Sequence, residues 1–114
     1  MRSKLIPLAL AVAALGACHQ KTPQEKQADQ IVDAADAKAD SIEAAADNKA
    51  SDLEAQAEQM KQQAGQAGTF EGRRMRLQAE SLKEQAKVFR QEGKAKAKAV
   101  RDEGQAKASA LLAQ

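Results

Sequence analysis

Few residues in this 114-residue chain could do chemistry, and they are sparsely placed. Cys18 is the only cysteine and His19 the only histidine. A metal site needs three or four converging ligands, and no second His or Cys exists to share one with them, so no metal ligand set is expected. A lone cysteine also excludes an internal disulfide. The sixteen carboxylates are scattered through a chain with no Trp and no Tyr. General acid–base or nucleophilic work requires a positioned group whose pKa is tuned by its surroundings. Nothing in the spacing builds such a concavity, and no Gly-rich phosphate loop follows a strand pattern. The chain therefore reads as non-enzymatic, without catalytic residues. The one group left with a chemical future is the thiol of Cys18.

The context of Cys18 is informative. Arg2 and Lys4 precede a stretch, residues 5–17, that carries no charge and ends in small residues. This is the layout of a secretory signal, and thirteen uncharged residues are too few to cross ~30 Å of hydrocarbon as a helix. The stretch closes Leu15-Gly16-Ala17-Cys18. That quartet resembles the lipobox of bacterial lipoproteins, in which Leu and two small residues precede a cysteine. The resemblance covers residues 1–18. It implies a diacylglyceryl group on the Cys18 sulfur, removal of residues 1–17, and an acyl chain on the new amino terminus. These covalent lipids are the only prosthetic groups expected; no other cofactor is. The product would be membrane-anchored on the periplasmic face. By the enterobacterial sorting rule an Asp after the cysteine retains a lipoprotein at the inner membrane, so His19 points to the outer one. An ordinary secretory signal with a chance cysteine is the alternative.

The elements that follow must be extended. The 96 residues after Cys18 hold only 14 Val, Ile, Leu, Met or Phe against 22 Ala. Each missing buried carbon forgoes about 0.8 kcal/mol, while ordering a residue costs about 1.5 kcal/mol. No compact core is available, and Ala, Glu, Gln, Lys and Arg are strong helix formers. The fold class expected is all-α: Ala-rich extended helices, two long ones in a helical hairpin or coiled coil.

Thr22-Pro23-Gln24-Glu25 predicts a capped helix start, leaving residues 18–22 as a lipidated tether. An acidic helix is predicted over 23–64, a Gly-rich break over 65–72 with Thr69 as a new cap, and a basic helix over 73–112. Large apolar residues recur every eleven positions at Ile31, Ile42 and Leu53, with Ala64 and Met75 in phase, and again at Phe89, Val100 and Leu111. Residues 90–100 and 101–111 match at seven of eleven positions. Eleven residues make three turns of nearly undistorted helix. The seam expected to meet another helix is Ile31, Ile42, Leu53, Met75, Leu82, Phe89, Val100 and Leu111, with Ala86, Gly93, Ala97, Gly104 and Ala108 on the same stripe.

Charge divides at the same break. Residues 19–64 hold ten acids and five bases; residues 65–114 hold six acids and eleven bases. Asp29, Asp33, Asp36, Asp40, Glu43 and Asp47 line one face, and Arg76, Lys83, Lys87, Arg90, Lys94, Lys98 and Arg101 line another in nearly the same rhythm. Like charges at these spacings repel, so the stripes favour lying opposite each other. A hairpin satisfies them within one chain; one continuous helix would satisfy them between antiparallel chains.

Size, lipid anchor and helix make the mature part similar to the murein lipoproteins of Gram-negative outer membranes. It departs from them in its eleven-residue beat and in ending Leu112-Ala113-Gln114, which removes the terminal lysine that joins that family to peptidoglycan. The Ala/Lys/Glu/Asp eleven-mers also resemble group 3 late-embryogenesis-abundant stress proteins. The first resemblance implies a structural or spacer role. The second implies a stress-protective amphipathic helix that binds anionic membrane or cell-wall polymer. Expected partners are membrane lipid through Cys18, another copy through the helices, and a component of the cell envelope. Nucleic acid is not expected, because the export signal puts the basic half in another compartment.

Overall fold

A computed structural model describes residues 20–114; Leu15, Gly16, Ala17, Cys18 and His19 lie outside the described residues. Two α-helices, α1 (Pro23–Gln66) and α2 (Thr69–Leu112), fold back on each other as an antiparallel hairpin. Each has 44 residues, about 66 Å at 1.5 Å per residue. The continuous-helix alternative is thereby excluded.

The start of α1 follows its sequence closely. Glu25 N–H donates to Thr22 Oγ1 at 3.1 Å, and Thr22 N–H donates to Glu25 Oε2 at 2.8 Å. Both arms of the capping box are thus made, with Pro23 in the first turn. The base of the hairpin is also closed by Gln24 Nε2, which donates to the Leu111 carbonyl at 2.8 Å.

The break is narrower than the eight residues expected. Only Ala67 and Gly68 leave the helices, both in extended conformation. Gly65 belongs to α1 and Gly72 to α2, so the helices run through 66 and from 69 rather than ending at 64 and resuming at 73. Thr69 is not the cap: Gly68 holds that position, with no side-chain hydrogen bond. Gly72 explains why a helical glycine is tolerated here. A Cβ on it would lie 2.9 Å from the Ala64 carbonyl oxygen, so the tight crossing at the turn needs its missing side chain.

The line of contact is built almost wholly from alanine and glycine. From α1 it takes Ala28, Ala39, Ala50, Ala57 and Ala64, and from α2 Gly72, Ala79, Ala86, Gly93, Ala97, Gly104 and Ala108. All of these are buried. The eight large residues of the expected seam are half-buried and flank this line. On α1 the period read from Ile31, Ile42 and Leu53 is that of the buried line, but the line itself sits three residues earlier, at Ala28, Ala39 and Ala50.

Spacing along the line changes with distance from the turn. Near it, Ala50, Ala57 and Ala64 step by seven, as do Gly72, Ala79, Ala86 and Gly93. Farther away, Ala28, Ala39 and Ala50 step by eleven, as do Gly93 and Gly104. A seven-residue beat favours a left-handed supercoil and an eleven-residue beat a right-handed one. Together they keep a stripe of small residues in contact over about twelve turns.

Candidate functional site

Two surfaces of this hairpin are chemically distinctive: a ladder of ion pairs between the helices, and the closed tip.

The ladder grows directly from the eleven-residue repeat. Arg101 places Nη1 2.8 Å from Glu43 Oε1, Nη2 2.8 Å from Asp40 Oδ1 and Nε 3.8 Å from Asp36 Oδ1. Arg90, eleven residues earlier, pairs with Glu54 and sets Nε 3.5 Å from Asp47 Oδ1. Asp47 and Glu54 are in turn eleven residues after Asp36 and Glu43. The same clamp is therefore built twice, one repeat apart on both arms of the hairpin. Lys83 meets Glu58 at 3.1 Å and Lys61 meets Glu80 at 3.2 Å nearer the turn. Lys49 also crosses the gap, its Nζ 4.2 Å above the Phe89 ring.

Of the expected basic stripe, Lys83, Arg90 and Arg101 reach α1, whereas Lys87 and Lys98 pair within α2 with Glu84 and Asp102. Of the expected acidic stripe, Asp36, Asp40, Glu43 and Asp47 meet α2, and Asp29 pairs with Lys21. Spacing alone did not single out Glu54, Glu58, Lys61 or Glu80. Glu54 and Glu58 do continue the acidic stripe, seven and eleven residues beyond Asp47, and that is the signal that would have found them.

Local pairing lowers the pKa of three carboxylates, Glu54 and Glu80 of the ladder and Glu103 within α2. The hydrogen bond from Arg90 holds the Glu54 carboxyl below its ordinary value of 4.5, against a smaller opposing effect of desolvation. Lys61 does the same for Glu80 and Lys107 for Glu103. A carboxylate whose folded pKa is depressed contributes stability that is present above its unfolded pKa and lost as pH falls through the folded one. The thermal midpoint followed by circular dichroism should hold steady down to about pH 5 and drop below about pH 4.5. An Arg90→Gln chain should melt earlier at neutral pH and lose less on acidification. Equal midpoints at neutral and acid pH would refute this account of the ladder.

The tip carries a different pattern. Phe70 and Leu77 are 80% and 72% exposed, and Arg73, Arg74 and Arg76 lie among them. Phe70, Arg73, Arg74 and Leu77 stand at i, i+3, i+4 and i+7, a spacing that gathers them on one helical face. Val88, eleven residues beyond Leu77, lies on the same outer face and is 48% exposed. Neither Phe70 nor Leu77 belongs to the expected seam; both face away from α1.

Among the described residues no cluster of three or more His, Cys, Asp or Glu side chains is arranged to hold a metal ion, and no helix is long and apolar enough to cross a membrane. The pKa shifts that do arise come chiefly from side-chain hydrogen bonds and ion pairs on the helix surface. The arrangement can hold two helices in one register and present a charged and apolar end. No family model matches the chain, and no curated protein or solved structure matches it either.

Proposed function

We propose that this protein is a non-enzymatic spacer lipoprotein, held by lipid on Cys18 to the periplasmic face of a membrane, with the outer membrane as the site that His19 favours. The observation that carries this reading is the length of the tether. The capped start of α1 at Thr22 leaves only residues 19–21 between Cys18 and a stiff base. A lipid placed there would hold the base of a rod about 66 Å long against the bilayer, with the tip displayed at the far end. Self-association and contact with another envelope component remain the partners proposed for its outer faces.

The competing reading is a stress-protective helix whose basic half lies on anionic membrane or cell-wall polymer. Lys83, Arg90 and Arg101 are already engaged with carboxylates of α1. Three of the seven cations of that basic stripe are thus used inside the molecule, and we place this reading second.

Mass spectrometry of the chain from the membrane fraction tests the anchor. The amino-terminal peptide should begin at Cys18 and carry a diacylglyceryl thioether together with an amide-linked acyl chain. A peptide beginning elsewhere, or one with an unmodified Cys18, would overturn the proposal.

A further inference from the structure

The two ends of the hairpin are electrically unlike. Around the turn, residues 62–79 hold the bases Arg73, Arg74 and Arg76 and one acid, Glu71, a net of +2. At the other end, residues 20–40 and 100–114 together hold five bases and seven acids, a net of −2. The difference has a structural origin. The carboxylates of α1 end at Glu58, so the first turns of α2 face no acid across the gap. Arg90 and Arg101 are each clamped by two or three carboxylates, while Arg73, Arg74 and Arg76 form no ion pair or hydrogen bond among the described residues.

These three guanidiniums flank Phe70 and Leu77, two large apolar side chains left mostly in solvent. We propose that this tip is a docking surface for an anionic lipid bilayer, with Phe70 and Leu77 entering the headgroup boundary and Arg73, Arg74 and Arg76 meeting lipid phosphates. A bilayer interface offers phosphate and hydrocarbon within a few ångströms of each other, which is what an apolar centre rimmed by cations matches. The other occupants fit less well. A phosphate-bearing polymer would satisfy the arginines and leave Phe70 and Leu77 in water. A second copy would satisfy the apolar pair but set one cationic tip against another, with Glu71 the one acid on each tip against three arginines. The contact stands on the side chains of the tip and does not depend on lipid at Cys18.

The chain contains no Trp, so Phe70→Trp supplies a sole indole emitter at the site. The full chain, purified as cells process it, is reconstituted with vesicles of phosphatidylcholine alone or of phosphatidylcholine with phosphatidylglycerol. The emission of the introduced indole should shift to the blue, and become quenchable by brominated acyl chains, only on the anionic vesicles. Each cation near an anionic surface is worth about a fivefold gain. In the same background, Arg73→Gln, Arg74→Gln and Arg76→Gln together should therefore weaken docking about a hundredfold. Helicity should be unchanged, because none of the three pairs with α1. Equal emission on both vesicle types, or an undiminished shift in the triple variant, would overturn the proposal. Vesicle flotation keeps the two readings apart. A chain that floats with neutral vesicles while its indole stays in water retains its anchor, and if the indole stays in water on anionic vesicles too, the tip proposal fails alone. One that floats only with anionic vesicles and shifts its emission has lost the anchor reading and kept this one.

Discussion

Replacing Gly93 and Gly104 together by leucine should pry the two helices apart while leaving each one helical. A single Cβ at Gly93 would stand 2.4 Å from the Ala46 Cβ, and one at Gly104 would stand 2.3 Å from the Ala35 Cβ, against 3.4–4 Å for ordinary contact. Neither neighbour is the end of a flexible chain; both are methyl groups fixed to α1. The backbones must therefore separate before any leucine is accommodated. Overpacking costs about 1–3 kcal/mol at each site, a total of about 2–6 kcal/mol, which is a large part of what holds a small domain together. Relief of glycine in a helix returns about 1 kcal/mol per site, but to α2 alone and not to the pair. Circular dichroism should thus stay strongly helical while spin labels at Asn48 and Gln91, close in the hairpin, move apart and broaden in distribution. Gly93→Ala should be rescued specifically by Ala46→Gly, and Gly104→Ala by Ala35→Gly. Gly65→Ala is the control, since nothing lies within 4 Å of its added carbon. An unchanged label distance in the double leucine variant would show that the helices do not depend on this backbone approach.

Cys18→Ser should move the exported chain from the membrane fraction to the soluble one. Each buried methylene of an acyl chain adds about 0.8 kcal/mol. One chain gives marginal, reversible binding and two give stable anchoring, so a doubly or triply acylated cysteine would hold essentially every copy. Serine offers no thiol for the thioether. Fractions should be washed in about 1 M salt, where the Debye length is ~3 Å, so that attraction between the arginines of the tip and anionic lipid is screened. Only chains that have lost residues 1–17 are scored, because the uncharged stretch over residues 5–17 would hold the remainder. A processed Cys18→Ser chain that stays equally membrane-bound would rule out the lipid anchor.

The class of fold is legible from the order of amino acids alone, and local chemistry is the reason. Thr22, Pro23 and Glu25 act within one turn, so the capping box that starts α1 can be read from four residues. Ala, Gln, Lys and Glu act through propensity, which needs no partner, and the scarcity of large apolar residues argues against a compact core on composition alone. The opposite charge of the two halves points to antiparallel pairing of helices, within one chain or between two, because a stripe of like charges repels itself along one helix and is relieved by an opposite stripe on another. The repeat of Arg90 and Gly93 at Arg101 and Gly104 carries both the clamp and the close contact in a single motif.

Whatever depends on distance across the gap had to wait for the packed hairpin. Periodicity identifies a face but not which residues on it come nearest the partner. Ile31, Ile42 and Leu53 set the beat, yet their bulk keeps them at the edge, and Ala28, Ala39 and Ala50, whose single methyls permit close approach, take the centre. Counting glycines predicts a break of eight residues. Only the crossing of α1 and α2 shows that Gly72 is needed inside a helix, where its missing Cβ makes room for the Ala64 carbonyl oxygen, and that the chain reverses on Ala67 and Gly68 alone. The tip was hidden for the same reason. Arg73, Arg74 and Arg76 look like more of the basic stripe until the hairpin register sets them beyond Glu58, where α1 has no carboxylate left to offer.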